Sequence, residues 1–217
     1  MSSQPETRAL IFTGGNLGLW AFTYLKSNDY LIGADRGAEF LIRNGYPLHL
    51  ALGDFDSVFP DQLQRIADTA IELITCDPIH KDWTDTELAL REAMTRGYRE
   101  ILILGALGTR FDHGLANVHL LRQAAQHGCE LTLIDENNII SLCIDRFHLK
   151  AHAEFPYTSL LPITPEVTGV TLEGFRYPLY DATLKLGYSI GISNVLDAPT
   201  GLITVTSGML LVIRSRD

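Results

Sequence analysis

Apolar side chains recur along the chain in two textures. From residue 8 to residue 134, short apolar runs alternate with segments whose apolar residues return every three or four positions. The runs read as buried strands and the periodic segments as amphipathic helices. Strands are predicted at 8–13, 30–34, 49–52, 71–75, 100–104 and 130–134, with helices at 17–26, 38–44, 61–70, 85–96 and 113–126 between them. Gly45, Gly97 and Gly128 punctuate helix ends, and Thr84 with Glu87 has the spacing of a capping box. Strand-then-helix units in succession predict a mostly parallel sheet with right-handed crossovers, a Rossmann-like α/β domain. Ligands of such sheets sit outside the carboxyl ends of the strands.

Beyond Asp135-Glu136-Asn137-Asn138 the helical period disappears. Short alternating runs follow at 139–144, 147–149, 157–162, 167–172, 182–185, 189–193, 202–207 and 209–214, punctuated by prolines and glycines. They predict an all-β sandwich. The expected division is an α/β domain over residues 1–140 and a β-sandwich domain over 141–217.

The totals narrow the function classes. A chain of 217 residues with 46% hydrophobic and 20% charged residues has the composition of an ordinary globular protein. A formal net charge of −9 argues against nucleic acid as a partner, because phosphate backbones demand clustered Lys and Arg. No apolar run reaches membrane-spanning length, and the first residues lack the basic-then-apolar pattern of a signal peptide. Cys76, Cys129 and Cys143 are scattered, which suits a reducing cytoplasm, the expected location.

Candidate chemistry gathers in the loops that leave the strands. Gly14-Gly15 after the first strand is a weak nucleotide signal or a plain turn. Asp35, at the end of the second strand and two residues before Gly37, reads as a ligand for a ribose hydroxyl or cation, or as a helix cap. In Gly53-Asp54-Phe55-Asp56-Ser57 two carboxylates at i and i+2 project to one side of an extended loop, placed to chelate a hard divalent ion. A capping role for Asp56 or Ser57 leaves Asp54 unexplained. Lys81, Asp82 and Asp85 crowd the next strand-to-helix loop. In Gly105-Ala-Leu-Gly108-Thr-Arg110-Phe-Asp112-His113, the glycines let the backbone come close to a ligand. Arg110 sets a guanidinium beside helix-start N–H groups, a place suited to phosphate. Asp112 caps that helix or faces the same ligand. No Ser or Cys nucleophile accompanies His113, which is read as orienting the helix start. Gly191-Ile-Ser193-Asn194 reads as a polar turn.

Together these segments resemble the thiamine pyrophosphokinase family. The matching pieces are Gly53-Asp-Phe-Asp-Ser57, Lys81-Asp-Trp-Thr-Asp85, Gly105-x-x-Gly-x-Arg-Phe-Asp-His113 with Ala116-Asn117, and Gly191-Ile-Ser-Asn194, in that order. Asp35-Arg-Gly37 and Leu172-Glu-Gly-Phe-x-Tyr-Pro-Leu179 look like its bacterial branch. The resemblance implies a homodimer whose catalytic domain binds ATP as co-substrate and whose sandwich binds thiamine near the subunit interface. The reaction it implies moves the pyrophosphoryl group of ATP to the hydroxyethyl oxygen of thiamine, releasing AMP. By the same resemblance Asp54, Asp56 and Asp85 hold Mg²⁺, with Asp82 close by as a catalytic carboxylate. Arg110 and the Gly105–Gly108 backbone hold phosphates, Asp112 completes that cluster, and Gly14, Gly15, Asp35, Gly37 and Lys81 belong to the nucleotide site. Ser193 and Asn194 match the thiamine pocket. Two positions depart from the family: Trp83 stands where polar residues are common, and Met209-Leu-Leu211 stands where eukaryotic members place a tryptophan. The competing readings are a metal-dependent nucleotide hydrolase or nucleotidyltransferase, and a non-catalytic sensor of thiamine or nucleotide.

Overall fold

A computed structural model describes residues 8–55, 58–75 and 83–217. The chain divides into two compact units, Met1–Glu136 and Asn137–Asp217.

The first unit is built on the strands β1 (Ala9–Phe12), β2 (Tyr30–Ala34), β3 (Leu50–Gly53), β4 (Glu72–Thr75), β5 (Glu100–Leu104) and β6 (Glu130–Ile134). Their order across the sheet is β6-β5-β1-β2-β3-β4, and every pairing is parallel. The apolar runs take central places: all four residues of β1 are fully buried, whereas β4, at the edge, leaves Glu72, Leu73 and Thr75 exposed. The crossover helices are α1 (Arg36–Arg43), α2 (Pro60–Thr69), α3 (Asp85–Thr95) and α4 (Phe111–Gln126). Helix α1 packs on α2 and α3 packs on α4. Right-handed crossovers assign the two pairs to opposite faces, because the chain reverses its direction of travel between β4 and β5.

That reversal positions the site. The chain starts in the middle of the sheet, runs outward through β4, and returns to place β5 on the other side of β1. The loops that leave β1 and β5 therefore diverge to opposite faces, opening a crevice between them at the carboxyl ends of the strands.

The second unit holds two antiparallel sheets. One contains β7 (Asn138–Cys143), β9 (Tyr157–Pro162), β12 (Asn194–Val195) and β14 (Leu210–Ser215), in the order β12-β9-β14-β7. The other contains β8 (Arg146–Lys150), β10 (Glu166–Glu173), β11 (Ala182–Lys185) and β13 (Thr200–Thr204), in the order β11-β10-β13-β8. Cys143, Leu160, Leu210 and Val212 from the first meet Leu149, Val167, Leu172, Leu184 and Ile203 from the second in one buried core. That is a sandwich in which alternate residues of each strand face inward.

Some local expectations shift. The segment expected to be helical over 17–26 forms only a short 3-10 helix, Leu19–Tyr24. There Phe22 stacks on Phe40 at 5.1 Å and on Tyr46 at 4.1 Å, so tertiary aromatic packing sets the segment's geometry. The strand expected at 189–193 is a turn, with Ser193 at φ 56°, and pairing begins only at Asn194. Helix α4 begins at Phe111, two residues earlier than its apolar period indicates.

Candidate active site

Three glycine-bearing loops approach one another closely. A side chain at Gly15 would overlap the Gly105 carbonyl oxygen and come within 3.6 Å of Gly108 Cα. The turn after β1 is thus pressed against the turn after β5, as only residues without a Cβ permit. A side chain at Gly37 would overlap the Phe12 carbonyl oxygen, so α1 starts directly against β1. Thr13 fastens the first turn by giving both its N–H (3.0 Å) and its hydroxyl (3.2 Å) to the Leu104 carbonyl oxygen. Asn117, buried on α4, donates to the Ala106 carbonyl oxygen at 2.8 Å and fixes the third loop from below.

Between these loops lies a cleft of about 370 Å³ at the switch between β1 and β5. Gly14, Gly15, Asp35, Asp85, Gly105, Gly108 and Arg110 all line it. Asp35 reaches it from β2, Asp85 from the start of α3 and Arg110 from the start of α4. A Cβ at Gly14 would lie 4.0 Å from Asp35 Oδ2, and one at Gly53 would lie 3.3 Å from Asp85 Oδ1 and 3.5 Å from Asp35 Cα. The two carboxylate-bearing loops therefore meet around the bare backbone of Gly53.

Asp35 occupies the N-cap position of α1, yet its side chain makes no capping hydrogen bond. Its backbone lies at φ 52°, a region that favours glycine and costs a non-glycine residue about 1–3 kcal/mol. Phe55, buried after Asp54, is also left-handed at φ 56°. The strained turn at the exit of β2 brings Asp35 to the cleft. Thr84 caps α3 by accepting from the Glu87 N–H at 3.2 Å, as its spacing predicts. The Glu87 carboxylate, by contrast, accepts from Arg91 and Gln123, so only half of the capping box forms.

Arg110 is the N-cap of α4 and projects into solvent at the cleft rim. Its Nε and NH2 groups donate to the two carboxylate oxygens of Asp112 at 3.2 and 2.6 Å. That two-point bond holds the Asp112 carboxyl well below the usual carboxylate range, at about 2. Asp112 is thus committed to orienting the guanidinium, and its side chain is not the cap of α4.

Several cleft residues escape sequence reasoning. Thr13, Asn16 and Thr86 line it outside the segments singled out from the sequence, and Arg36 and Thr84 line it from within them without having been given a ligand role. His113 and Asn117 also line it, and their spacing from Arg110 is legible as one helical face. Trp83 lies instead beneath the Arg91 guanidinium, 4.5 Å from its ring centroid.

The remaining candidates fall elsewhere. Gly37 supports the floor through its contact with β1, and Asp54 follows Gly53 at the exit of β3. Asp56, Lys81 and Asp82 lie outside the described residues. Among the described residues no three metal-ligating side chains cluster. In the second unit, Asn194 is buried, its amide donating to the Tyr177 carbonyl oxygen at 2.7 Å and accepting the Tyr177 N–H at 3.1 Å. The Ser193 N–H donates to Ser159 Oγ at 3.0 Å.

Comparison with known proteins places this arrangement. The family model for the thiamin pyrophosphokinase catalytic domain matches residues 22–133, and that for the vitamin B1 binding domain of the same enzyme matches 146–210. A thiamine pyrophosphokinase of Bacillus subtilis is 33% identical over 89% of this chain and 91% of its own. The crystal structure of thiamine pyrophosphokinase from Bacillus subtilis superposes with a TM-score of 0.90 at 31% identity, covering 98% of this chain and 100% of that one. A thiamin pyrophosphokinase family protein from Enterococcus faecalis superposes with a TM-score of 0.86 at 31% identity, covering 97% and 99%. Two matched domains in order, over a shared fold and nearly the full length, establish that this chain belongs to the thiamine pyrophosphokinase family.

Proposed function

We propose that the cleft between β1 and β5 binds ATP and that the chain transfers its pyrophosphoryl group to the hydroxyethyl oxygen of thiamine. The protein is an enzyme, a thiamine diphosphokinase. The observation that carries the finer reading is the convergence of Gly14, Gly15, Asp35, Asp85, Gly105, Gly108 and Arg110 on one cleft. Exposed backbone and a guanidinium suit phosphate, and carboxylates suit the cation that accompanies a triphosphate.

The donors present fit Mg²⁺. Asp35 and Asp85 bring hard oxygen ligands to one cleft, and the missing side chain of Gly53 leaves space beside Asp85 Oδ1. Asp54, Asp56 and Asp85 would hold the ion, with Asp35 facing the same space. Bound there, the cation supplies neutralisation of charge on phosphate oxygens.

The chain's own residues do the rest. Gly14, Gly15 and Gly108 offer backbone N–H groups, Gly105, whose N–H is taken by the Ile134 carbonyl oxygen, lets the turns close together, and Lys81 and Arg110 add cationic donors to the transferred group. Gly37 seats the strand-helix junction that carries Asp35. The thiamine hydroxyl oxygen attacks the β-phosphorus, the bond from that phosphorus to the α,β-bridging oxygen breaks, and AMP leaves. The hydroxyl proton passes to a carboxylate. Both carboxylate oxygens of Asp112 are already engaged by Arg110, so we assign that role to Asp82. Asp112 positions Arg110. In the sandwich, Ser193 and Asn194 shape the thiamine pocket, with Asn194 acting through the Tyr177 backbone it holds.

The second unit also exposes a run of apolar side chains, Tyr177, Tyr180, Leu186, Tyr188, Ile190 and Ile192. Leu186, Tyr188, Ile190 and Ile192 lead in sequence to Ser193, and such exposed apolar surface supports a homodimer whose interface borders the thiamine pocket. No described helix is long and apolar enough to cross a membrane. Cytoplasmic residence fits the reducing surroundings expected for the buried free thiols Cys129 and Cys143.

Incubation with Mg²⁺, ATP and thiamine tests the reading. AMP and thiamine diphosphate are expected in equal amounts, with AMP formation dependent on thiamine. AMP or ADP released at the same rate without thiamine would mark a nucleotide hydrolase, and binding of both ligands without turnover a sensor.

A further inference from the structure

A second cleft, of about 250 Å³, adjoins the first along the Gly14–Asn16 turn. It shares Thr13, Gly14, Gly15, Asn16 and Arg36 with the main cleft but differs in charge. The main cleft sets Asp35 and Asp85 against Arg36 and Arg110, whereas this one sets Arg36 and Arg43, at opposite ends of α1, against Glu39 alone. Both guanidinium groups are exposed, and among the described residues neither forms an ion pair. The acid that lines it, Glu39, accepts from Gln62 Nε2 at 2.6 Å, which holds its carboxylate toward α2 but leaves its charge in place. Leu17 and Phe40 add apolar surface, and Phe40 is held by stacking on Phe12 and Phe22.

We propose that this side cleft is a subsite for a phosphate monoester without a bound metal, and that it receives the nucleoside monophosphate released by the reaction. The identity of the ligand rests on the pyrophosphoryl-transfer reading; the anion preference rests on the arginines. A carboxylate-lined cleft accepts phosphates in company with a cation, which offsets the repulsion. A phosphate monoester has fewer oxygens to offer a cation that the carboxylates would hold, so it would gain less from the main cleft than a triphosphate does. The main cleft balances two carboxylates against two guanidinium groups, while the side cleft sets two against Glu39 alone and so attracts a free anion more strongly. In a chain of net charge −9, a cleft with two arginines to one carboxylate focuses anions locally.

Arg43 lines only the side cleft, so it separates the two sites. Binding of AMP is measured in EDTA by calorimetry for the wild type, Arg43→Gln and Arg36→Gln, with inorganic phosphate as a second probe. Both variants should bind AMP at least fivefold more weakly. Arg43→Gln should also raise the AMP product-inhibition constant by a similar factor while thiamine-saturated turnover stays within twofold. Unchanged AMP affinity in Arg43→Gln, or no metal-free AMP binding by the wild type, overturns the subsite. Inorganic phosphate binding as tightly as AMP overturns its assignment to the nucleotide product. A chain that makes no AMP from ATP and thiamine, yet binds AMP in an Arg43-dependent way, would sink the transfer reading and leave the subsite standing.

Discussion

Arg110 and Asp112 show how two exposed side chains acquire a defined role. Bulk solvent surrounds both, so their ion pair has little leverage on folding. Its effect is to hold one guanidinium at the cleft rim with both donor edges fixed. Arg110→Ala should leave the melting temperature unchanged and lower kcat by roughly 100-fold, the size of effect seen when one donor to developing charge is removed. Asp112→Asn keeps the cation and loosens it, so a smaller drop, roughly tenfold, is expected in steady-state kinetics. The carboxyl of Asp112 is depressed to about 2, so activity should show no step from it between pH 5 and 9. A different residue carries the pH response of stability. His49 accepts the Leu31 N–H on Nδ1 at 3.0 Å, and burial lowers its pKa. The unfolded chain, with a pKa of about 6.5 at this position, takes up the proton more readily than the folded one. Stability is thus unaffected well above pH 6.5, falls as the pH drops through that value, and levels off below the folded pKa. Denaturation midpoints at pH 7.5 and 5.5 should differ more in the wild type than in His49→Gln.

The elements are tied together where side chains are absent. The start of α1 sits so close to β1 that a methyl group at Gly37 overlaps the Phe12 carbonyl oxygen. Gly37→Ala should therefore destabilise the protein by on the order of 2 kcal/mol, read as a lowered denaturation midpoint, since neither backbone can move far in a packed interior. The sheet was legible from the sequence because β1, β3 and β5 are buried on both faces and read as continuous apolar runs. Helix α3 was legible because Thr84 caps it through a local bond. The 17–26 segment was not, because Phe22 is placed by Phe40 and Tyr46, residues distant in sequence. Local periodicity carries no trace of such a contact.

In the whole molecule, the reversal in strand order creates the crevice and the glycine turns narrow it. Mutual burial of the exposed apolar run near Ser193 would account for its composition, and Ile190→Glu should shift the protein to monomer in sedimentation experiments. Loss of thiamine-dependent turnover with that shift would place the pocket at the interface; a monomeric wild type would remove the homodimer from the reading.

Residue order alone was enough for most strand and helix types, though not for 17–26 or 189–193, for a change from α/β to all-β texture, expected at 140/141, and for the loops that carry carboxylates and Arg110. These follow from local rules of period, capping and backbone freedom. It was not enough for which of those loops meet. Asp35, Asp85 and Arg110 are separated by tens of residues, and their convergence depends on the sheet turning back at β5 beside β1. Nor did spacing reveal the bond that ties Asp112 to Arg110, or the second cleft along Gly14–Asn16. Those depend on distances through space, which packing of the sheet and its helices sets and no stretch of sequence encodes by itself.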